Sequence, residues 1–305
     1  MSAQWFAWAS GSWLPQSEVG LSVSDLGVLQ AVSVVERLRT ANARLIDLAA
    51  HLQRFESGCR ELGIELPGSW SLEEISAECL QRHFETTEQE ELAIVWMATP
   101  GAGGKPTLLV HAQPLPWSRI DSLTNVGQEL VVSDAQSVPA ECWSPQIKTR
   151  SRLHYYLADR QAREQTGNEL AAGLLPNAEG GLTETSAANI LLLHDGKLRS
   201  PPPESILQGV SLGRSVRLAE ALGLQISYEH ISFDMALQAD ELLLTGTTSC
   251  LWFANRLECR GRIRSYASSE SDSLFHRLSQ AWCDDMELNY IEQAARNSAT
   301  GGARS

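Results

Sequence analysis

Ile147-Lys148-Thr149-Arg150-Ser151-Arg152-Leu153 is the stretch on which the reading of this chain turns. Lysine is scarce here: the chain has three, Lys105, Lys148 and Lys197, against 21 arginines. Lys105 sits in the glycine-rich turn over 101–105, and Lys197 directly follows Asp195-Gly196, so both read as solvated turn residues. Lys148 lies instead where the loop Trp143-Ser144-Pro145-Gln146 gives way to a helix expected over 151–163. Schiff-base chemistry requires a primary amine that can shed its proton, and Lys148 is nearly the only candidate. From its position alone an ordinary surface charge is the better reading.

Working outward, the chain alternates strand and helix patterns. Aromatic strands over 4–8 and around Trp13 flank a Ser-Gly turn. A helix is expected over 50–62 with Gly63 as its C-cap, and Ser71 with Glu74 three residues on marks the start of another. β-rich runs over 92–98 and 107–111 surround the 101–105 turn and predict a hairpin. That turn (Gly-Ala-Gly-Gly-Lys-Pro) is not a phosphate-binding loop, because Pro106 stands where serine or threonine is required. Gln113-Pro114-Leu115-Pro116-Trp117 is the expected linker, which gives an N-terminal domain over 1–117 and a C-terminal domain over 118–296. Beyond the linker, the spacing predicts a strand over 129–132 and a hairpin about Asp195-Gly196. It also predicts a helix over 210–222, a buried strand over 241–245 and one or two helices over 271–295. The small, polar residues 297–305 read as a disordered tail.

Composition narrows the function. The net charge is −13 and the basic residues do not gather in runs, so a nucleic-acid partner is not expected. No apolar run is long enough to span a bilayer. Six scattered cysteines without a C-x-x-C pair suit neither zinc nor a disulfide framework and suggest buried free thiols. The opening residues lack the basic start of a signal peptide, and a cytoplasmic location is the expectation.

Several motifs then fall in order. After 147–153, running into Tyr155, Leu157 and Ala158, come Gly181-Leu182-Thr183-Glu184-Thr185-Ser186-Ala187-Ala188-Asn189-Ile190, the turn Ile206-Leu207-Gln208-Gly209-Val210-Ser211, and Ala239 through Thr245-Gly246-Thr247-Thr248. Upstream lie Ser24-Asp25-Leu26-Gly27, Glu36 and His51-Leu52-Gln53-Arg54-Phe55. Together these resemble the class IV aminotransferases, the fold-type IV pyridoxal-phosphate enzymes, over roughly residues 20 to 255. The resemblance implies a mixed α/β and α+β architecture like that of the D-amino-acid aminotransferases, with a smaller N-terminal and a larger C-terminal domain.

It also implies roles. Lys148 would carry pyridoxal 5'-phosphate as an internal aldimine and move the substrate's proton. Glu184 would face the pyridine nitrogen, where a carboxylate keeps that nitrogen protonated. Leu207 would pack on the ring. Val210 and Ser211 at a helix start, with Thr247, Thr248 and Arg54, would hold the phosphate. The implied reaction moves an amino group between an amino acid and a 2-oxo acid in a homodimer, with no metal. A lyase of the aminodeoxychorismate type, releasing pyruvate, and a non-catalytic member are the alternatives. The sequence departs from the family in places: Ala31 and Val32 replace a glycine-acidic pair, Leu212 separates Ser211 from Arg214, and the run over 92–101 lacks the arginine that often binds the substrate carboxylate.

Overall fold

The computed structural model describes residues 4–268 and 270–301. The chain forms two compact units. One takes the chain up to Leu115 together with Gln146–Ser151; the other takes Pro116–Pro145 and the chain from Arg152 onward. The units are therefore not the two consecutive stretches expected from the linker. The segment that carries Lys148 belongs with the N-terminal unit, and the expected 118–296 domain is interrupted by it.

The first unit is built on an antiparallel sheet. Its strands are β1 (Phe6–Ala9), β2 (Ser12–Pro15), β3 (Val34–Ala41), β4 (Arg44–Leu45), β5 (Leu92–Ala102) and β6 (Lys105–Pro114), in the order β2-β1-β6-β5-β3-β4. The helices are a short α1 (Leu26–Leu29), α2 (Leu48–Glu61) and α3 (Leu72–Thr86). The local signals explain the boundaries. The Ser71 hydroxyl accepts from the Glu74 N–H at 3.2 Å to cap α3, and Gly63 after α2 sits at φ +64°, a conformation that suits glycine. The expected linker begins inside a strand, because β6 continues through Pro114.

Strand alternation sorts β3 into two faces. Val34 and Leu38 join Ile94, Trp96, Ala98, Leu108, Val110, Phe55 and Cys79 in the helix-covered core, while Arg37 and Arg39 point the other way. Trp96 is fully buried, packs edge-on to Phe55 at 5.6 Å, and donates its indole N–H to Ser76 Oγ at 2.8 Å.

The second unit opens with α4 (Trp117–Asn125), β7 (Gln128–Val132), α5 (Leu153–Thr166) and β8 (Ala172–Leu174). It continues with β9 (Asn189–His194), β10 (Lys197–Ser200), α6 (Val210–Ala221), β11 (Ile226–Tyr228) and α7 (Phe233–Gln238). It closes with β12 (Glu241–Gly246), β13 (Cys250–Cys259), β14 (Arg262–Ser265), α8 (Leu274–Met286) and α9 (Tyr290–Gly301). Its mixed sheet runs β11-β10-β9-β12-β13-β7-β8, with β14 on β13. Leu130, Leu174, Leu182, Ile190, Leu192, Leu242, Leu244, Trp252 and Leu257 fill the core. The β9–β10 hairpin turns at Asp195 (φ 51°) and Gly196 (φ 69°), the positive-φ pair that such a turn needs. Residues 297–301, expected in the tail, continue α9, and 302–305 lie outside the described residues.

Among the described residues the cysteines are free thiols, five buried and Cys142 exposed. Burial pushes the Cys59 and Cys79 thiols up to about 12, which keeps them protonated and unreactive. No described helix is long and apolar enough to cross a membrane.

Trp96→Ala is expected to cost about 3–5 kcal/mol of stability, because a void replaces the indole and Ser76 loses its partner. Denaturant unfolding of the two proteins measures it.

Candidate functional site

In the first unit Lys148 lies five residues ahead of α5 rather than at its start. It lies in a segment outside helix and strand that is tied to β3, where the Val35 N–H donates to the Lys148 carbonyl at 2.8 Å. Ile147 beside it is buried in the core of that unit. The following residues are tied to the loop before β3. The Arg150 N–H donates to Ser33 Oγ at 3.1 Å, Ser33 and Thr149 hydroxyls meet at 3.5 Å, and the Ser151 hydroxyl donates to the Ala31 carbonyl at 3.0 Å. The helix expected from residue 151 begins at Leu153, with the Ser151 hydroxyl engaged by the Ala31 carbonyl. Lys148 is half-buried, on a backbone fixed from both sides.

Arg54, on α2, reaches Glu36 on β3. Its Nε donates to Oε1 at 2.6 Å and its Nη2 to Oε2 at 2.8 Å, while His51 Nδ1 lies 2.8 Å from Oε2. The side chains of Glu36 and His51 are almost fully buried and that of Arg54 nearly so. Burial alone would raise the Glu36 carboxyl, but hydrogen bonds from Arg54 and His51 and the charges beside it outweigh burial and bring it down to about 2. The α2 face that presents Arg54 is thus locked to β3 by a bidentate, charge-assisted pair.

The second unit gathers Glu184, Leu207, Val210, Ser211, Thr247 and Thr248 around the ends of β9, β12 and α6. Glu184 precedes β9 and is buried, 9 % exposed. Three donors converge on its carboxylate: the Tyr155 hydroxyl on Oε1 at 2.7 Å, the Leu207 N–H on Oε1 at 3.3 Å and Asn189 Nδ2 on Oε2 at 3.0 Å. Asn189 Nδ2 also donates to the Leu207 carbonyl at 2.8 Å, so one amide orients both the acid and the turn that carries Leu207. Tyr155 is held in place by its neighbours: the Arg152 guanidinium lies 4.6 Å from its ring centre and the His154 ring 4.1 Å away. Arg152 also donates to the Ser186 carbonyl. Burial first, and then the charge and hydrogen bond of Glu184, push the Tyr155 phenol well above its ordinary value. Tyr155 therefore stays a donor at any physiological pH.

Gly209 opens α6 in extended backbone with no side chain capping the helix, so the first-turn N–H groups that suit an anion are not capped by a side chain. A Cβ at Gly209 would stand 2.1 Å from Asn189 Oδ1, and one at Gly246 would stand 2.4 Å from the Ala187 carbonyl oxygen; both turns are built for close backbone approach. Ser211 is buried in the first turn of α6, Val210 and Leu207 are half-buried, and the 247–249 turn between β12 and β13 presents half-buried Thr247 and Thr248. Arg214 is held over the Trp282 ring at 5.3 Å and paired with Asp285 on α8. A buried acid, an uncapped helix start and a hydroxyl-bearing turn are a donor set of the kind an aromatic phosphate needs.

Sequence reasoning did not single out Tyr155 and Asn189 as site residues. Asn189 had a signal in its fixed place after Thr-Glu, and Tyr155 in its spacing three residues beyond Arg152 on a helix.

The family description "Amino-transferase class IV" matches residues 33–257. A putative branched-chain-amino-acid aminotransferase of Methanocaldococcus jannaschii is 25 % identical over 250 residues, covering 79 % of this chain and 83 % of the relative. The D-alanine aminotransferase of Staphylococcus aureus strain N315 is 24 % identical over 250 residues, covering 79 % and 84 %. Among solved structures, the T.th. branched-chain amino acid aminotransferase complexed with N-(5'-phosphopyridoxyl)-L-glutamate has the same fold. Its TM-score is 0.79 at 21 % identity, covering 94 % of this chain and 95 % of that one. The fold is thus that of the fold-type IV enzymes. The chain belongs to the class IV aminotransferases, a family of pyridoxal-phosphate-dependent transaminases.

Each of the two buried acids can be probed by substitution. Because the Glu36 carboxyl is depressed when folded, its contribution is complete above the unfolded value near 4.5 and lost as pH falls toward about 2. That contribution is on the order of 3 kcal/mol. Chemical denaturation across that window should show a loss that Glu36→Gln removes. Tyr155→Phe leaves Glu184 with one donor fewer and should lower kcat about tenfold or more while leaving the unfolding midpoint within a few degrees; steady-state kinetics and a thermal melt check both.

Proposed function

We propose that this chain transfers an amino group between an amino acid and a 2-oxo acid, with pyridoxal 5'-phosphate carried on Lys148. The observation that carries the proposal is the buried Glu184 carboxylate, aligned by Tyr155, Asn189 and the Leu207 N–H. Three converging donors fix the direction of the carboxylate and favour its charged form, which suits a partner that brings its own proton. When bound, the cofactor supplies a pyridinium ring that accepts electrons from the substrate's Cα.

The residues divide the work. Lys148 would hold the cofactor and would move the proton at the substrate Cα. Glu184 would keep the proton on the pyridine nitrogen. Leu207 packs against the ring. The Val210 and Ser211 N–H groups, the Ser211, Thr247 and Thr248 hydroxyls and Arg54 bind the phosphate. Arg54 is suited to this because its Nε–Nη2 edge is fixed by Glu36, so the guanidinium needs no reordering to meet an anion. The names of the relatives support transamination over elimination of pyruvate, and they place branched-chain amino acids and D-alanine first in a substrate panel.

We also infer a cytoplasmic homodimer. Leu153, Tyr156 and Leu157 on α5 are exposed at 70 %, 59 % and 37 %, an apolar stripe of the kind a second subunit covers.

The protein purified with cofactor should absorb in the visible, and borohydride should fix the label on the peptide that holds Lys148. Lys148→Ala should carry no fixed label and should react with amino acids more than about a thousandfold more slowly. A label found elsewhere, or amino-group uptake by Lys148→Ala at the parent rate, overturns the assignment.

A further inference from the structure

Behind the two turns that the proposed function gives to the phosphate lies a buried chain of hydroxyls that it does not use. Ser215 follows Ser211 by one turn of α6 and is wholly buried. So is Thr245 near the end of β12, two residues before Thr247. Their hydroxyl oxygens lie 3.0 Å apart. The Trp282 indole N–H, on α8, donates to Ser215 Oγ at 3.1 Å, and the Thr245 hydroxyl donates to the Cys250 carbonyl at 2.9 Å. An indole can only donate and a carbonyl can only accept, so the order of the protons is fixed. Trp282 donates to Ser215, Ser215 to Thr245 and Thr245 to Cys250. One relay, in which each hydroxyl both gives and accepts, thereby joins α8, α6, β12 and β13.

The relay ends at an uncommon point of backbone. Cys250 is buried and sits at φ 59°, a left-handed conformation that residues other than glycine avoid. It pairs with Gly246 across the 247–249 turn. Its carbonyl, held by Thr245, therefore helps to set the shape of the turn that presents Thr247 and Thr248. At the middle of the relay, Ser215 shares a helix face with Ser211. Packing alone would be served as well by alanine and valine, since removing matched polar partners together is nearly neutral. A fully satisfied buried relay adds rigidity, and a binding site works only when its donors are held to within about half an ångström. We propose that Ser215 and Thr245 are positioning residues: they hold the first turn of α6 and the 247–249 turn at one separation, and so set how tightly the cofactor's phosphate is bound. This rests on the proposed function for the identity of the ligand, but the binding can be read without turnover.

The full chain, freed of cofactor, is titrated with pyridoxal 5'-phosphate and with pyridoxal, which lacks the phosphate, and binding is followed by absorbance. Thr245→Val keeps the shape of the side chain and removes its hydroxyl. It should weaken pyridoxal 5'-phosphate binding about tenfold and leave pyridoxal binding within about twofold. Ser215→Ala, which breaks the relay at its middle, should do the same. Thr245→Ser returns the hydroxyl and should restore the preference for the phosphorylated ligand. Ser279→Ala removes a buried α8 hydroxyl bonded to the His276 carbonyl and should leave that preference unchanged. An equal loss of both ligands in Thr245→Val and Ser215→Ala marks a merely structural role and overturns the inference. So does a preference unchanged from the parent in both variants, which would leave the proposed function standing. A parent that binds the two ligands equally overturns the proposed function together with this inference.

Discussion

One backbone hydrogen bond, from the Val35 N–H to the Lys148 carbonyl, sets the terms for the rest of the molecule. It places the scarce amine on a loop segment tied to a sheet strand instead of on a helix end. The sheet in turn is rigid because Trp96, Phe55 and Leu38 are wholly buried behind it. The role proposed for Lys148 asks for a backbone that does not move. The pinned carbonyl, and the Ser33, Thr149 and Ser151 hydroxyls engaged on the flanking loop, hold that backbone. Arg37 and Glu36 sit on the same strand, one on each face, so the strand that fixes the amine also aligns both charges.

The two buried acids show how environment separates roles. Glu36 is matched by Arg54 and His51 and forms a closed, structural unit. Glu184 is matched by an amide, a backbone N–H and a phenol that stays protonated. The first set fixes the Arg54 guanidinium in one orientation. The second acid is the one we propose for the cofactor's ring nitrogen. Both are expensive to bury, and each is tolerated because its hydrogen bonds are complete.

Much of the architecture was legible in the sequence wherever a local rule governs. The Asp195-Gly196 hairpin, the Ser71 cap and the turn between β5 and β6 fall where their residues place them. Strand β3 was not legible as a strand, because its buried Glu36 and Arg39 break the apolar alternation that marks one. The start of α5 was placed two residues early, at Ser151, whose hydroxyl is engaged by the distant Ala31 carbonyl. The roles of Tyr155 and Asn189 depend on Glu184, which is 29 residues from one and five from the other, so no short window contains them together. The interrupted second unit could not be inferred at all, since composition does not change at Gln146 or Ser151.

That interruption has a consequence for how such a chain can be rearranged. The N-terminal unit is closed by six residues that arrive some thirty positions after its main stretch ends at Leu115. A single junction near Leu115 therefore cannot exchange this unit for a relative's as a whole: the transplanted piece would bring its guanidiniums and leave its amine-bearing segment behind. Grafting the unit requires two cuts more, at Gln146 and Ser151, and any change in the intervening loop must preserve the return path. The lysine is inherited with one half of the sequence but folds with the other, and that ties the two halves to a common history.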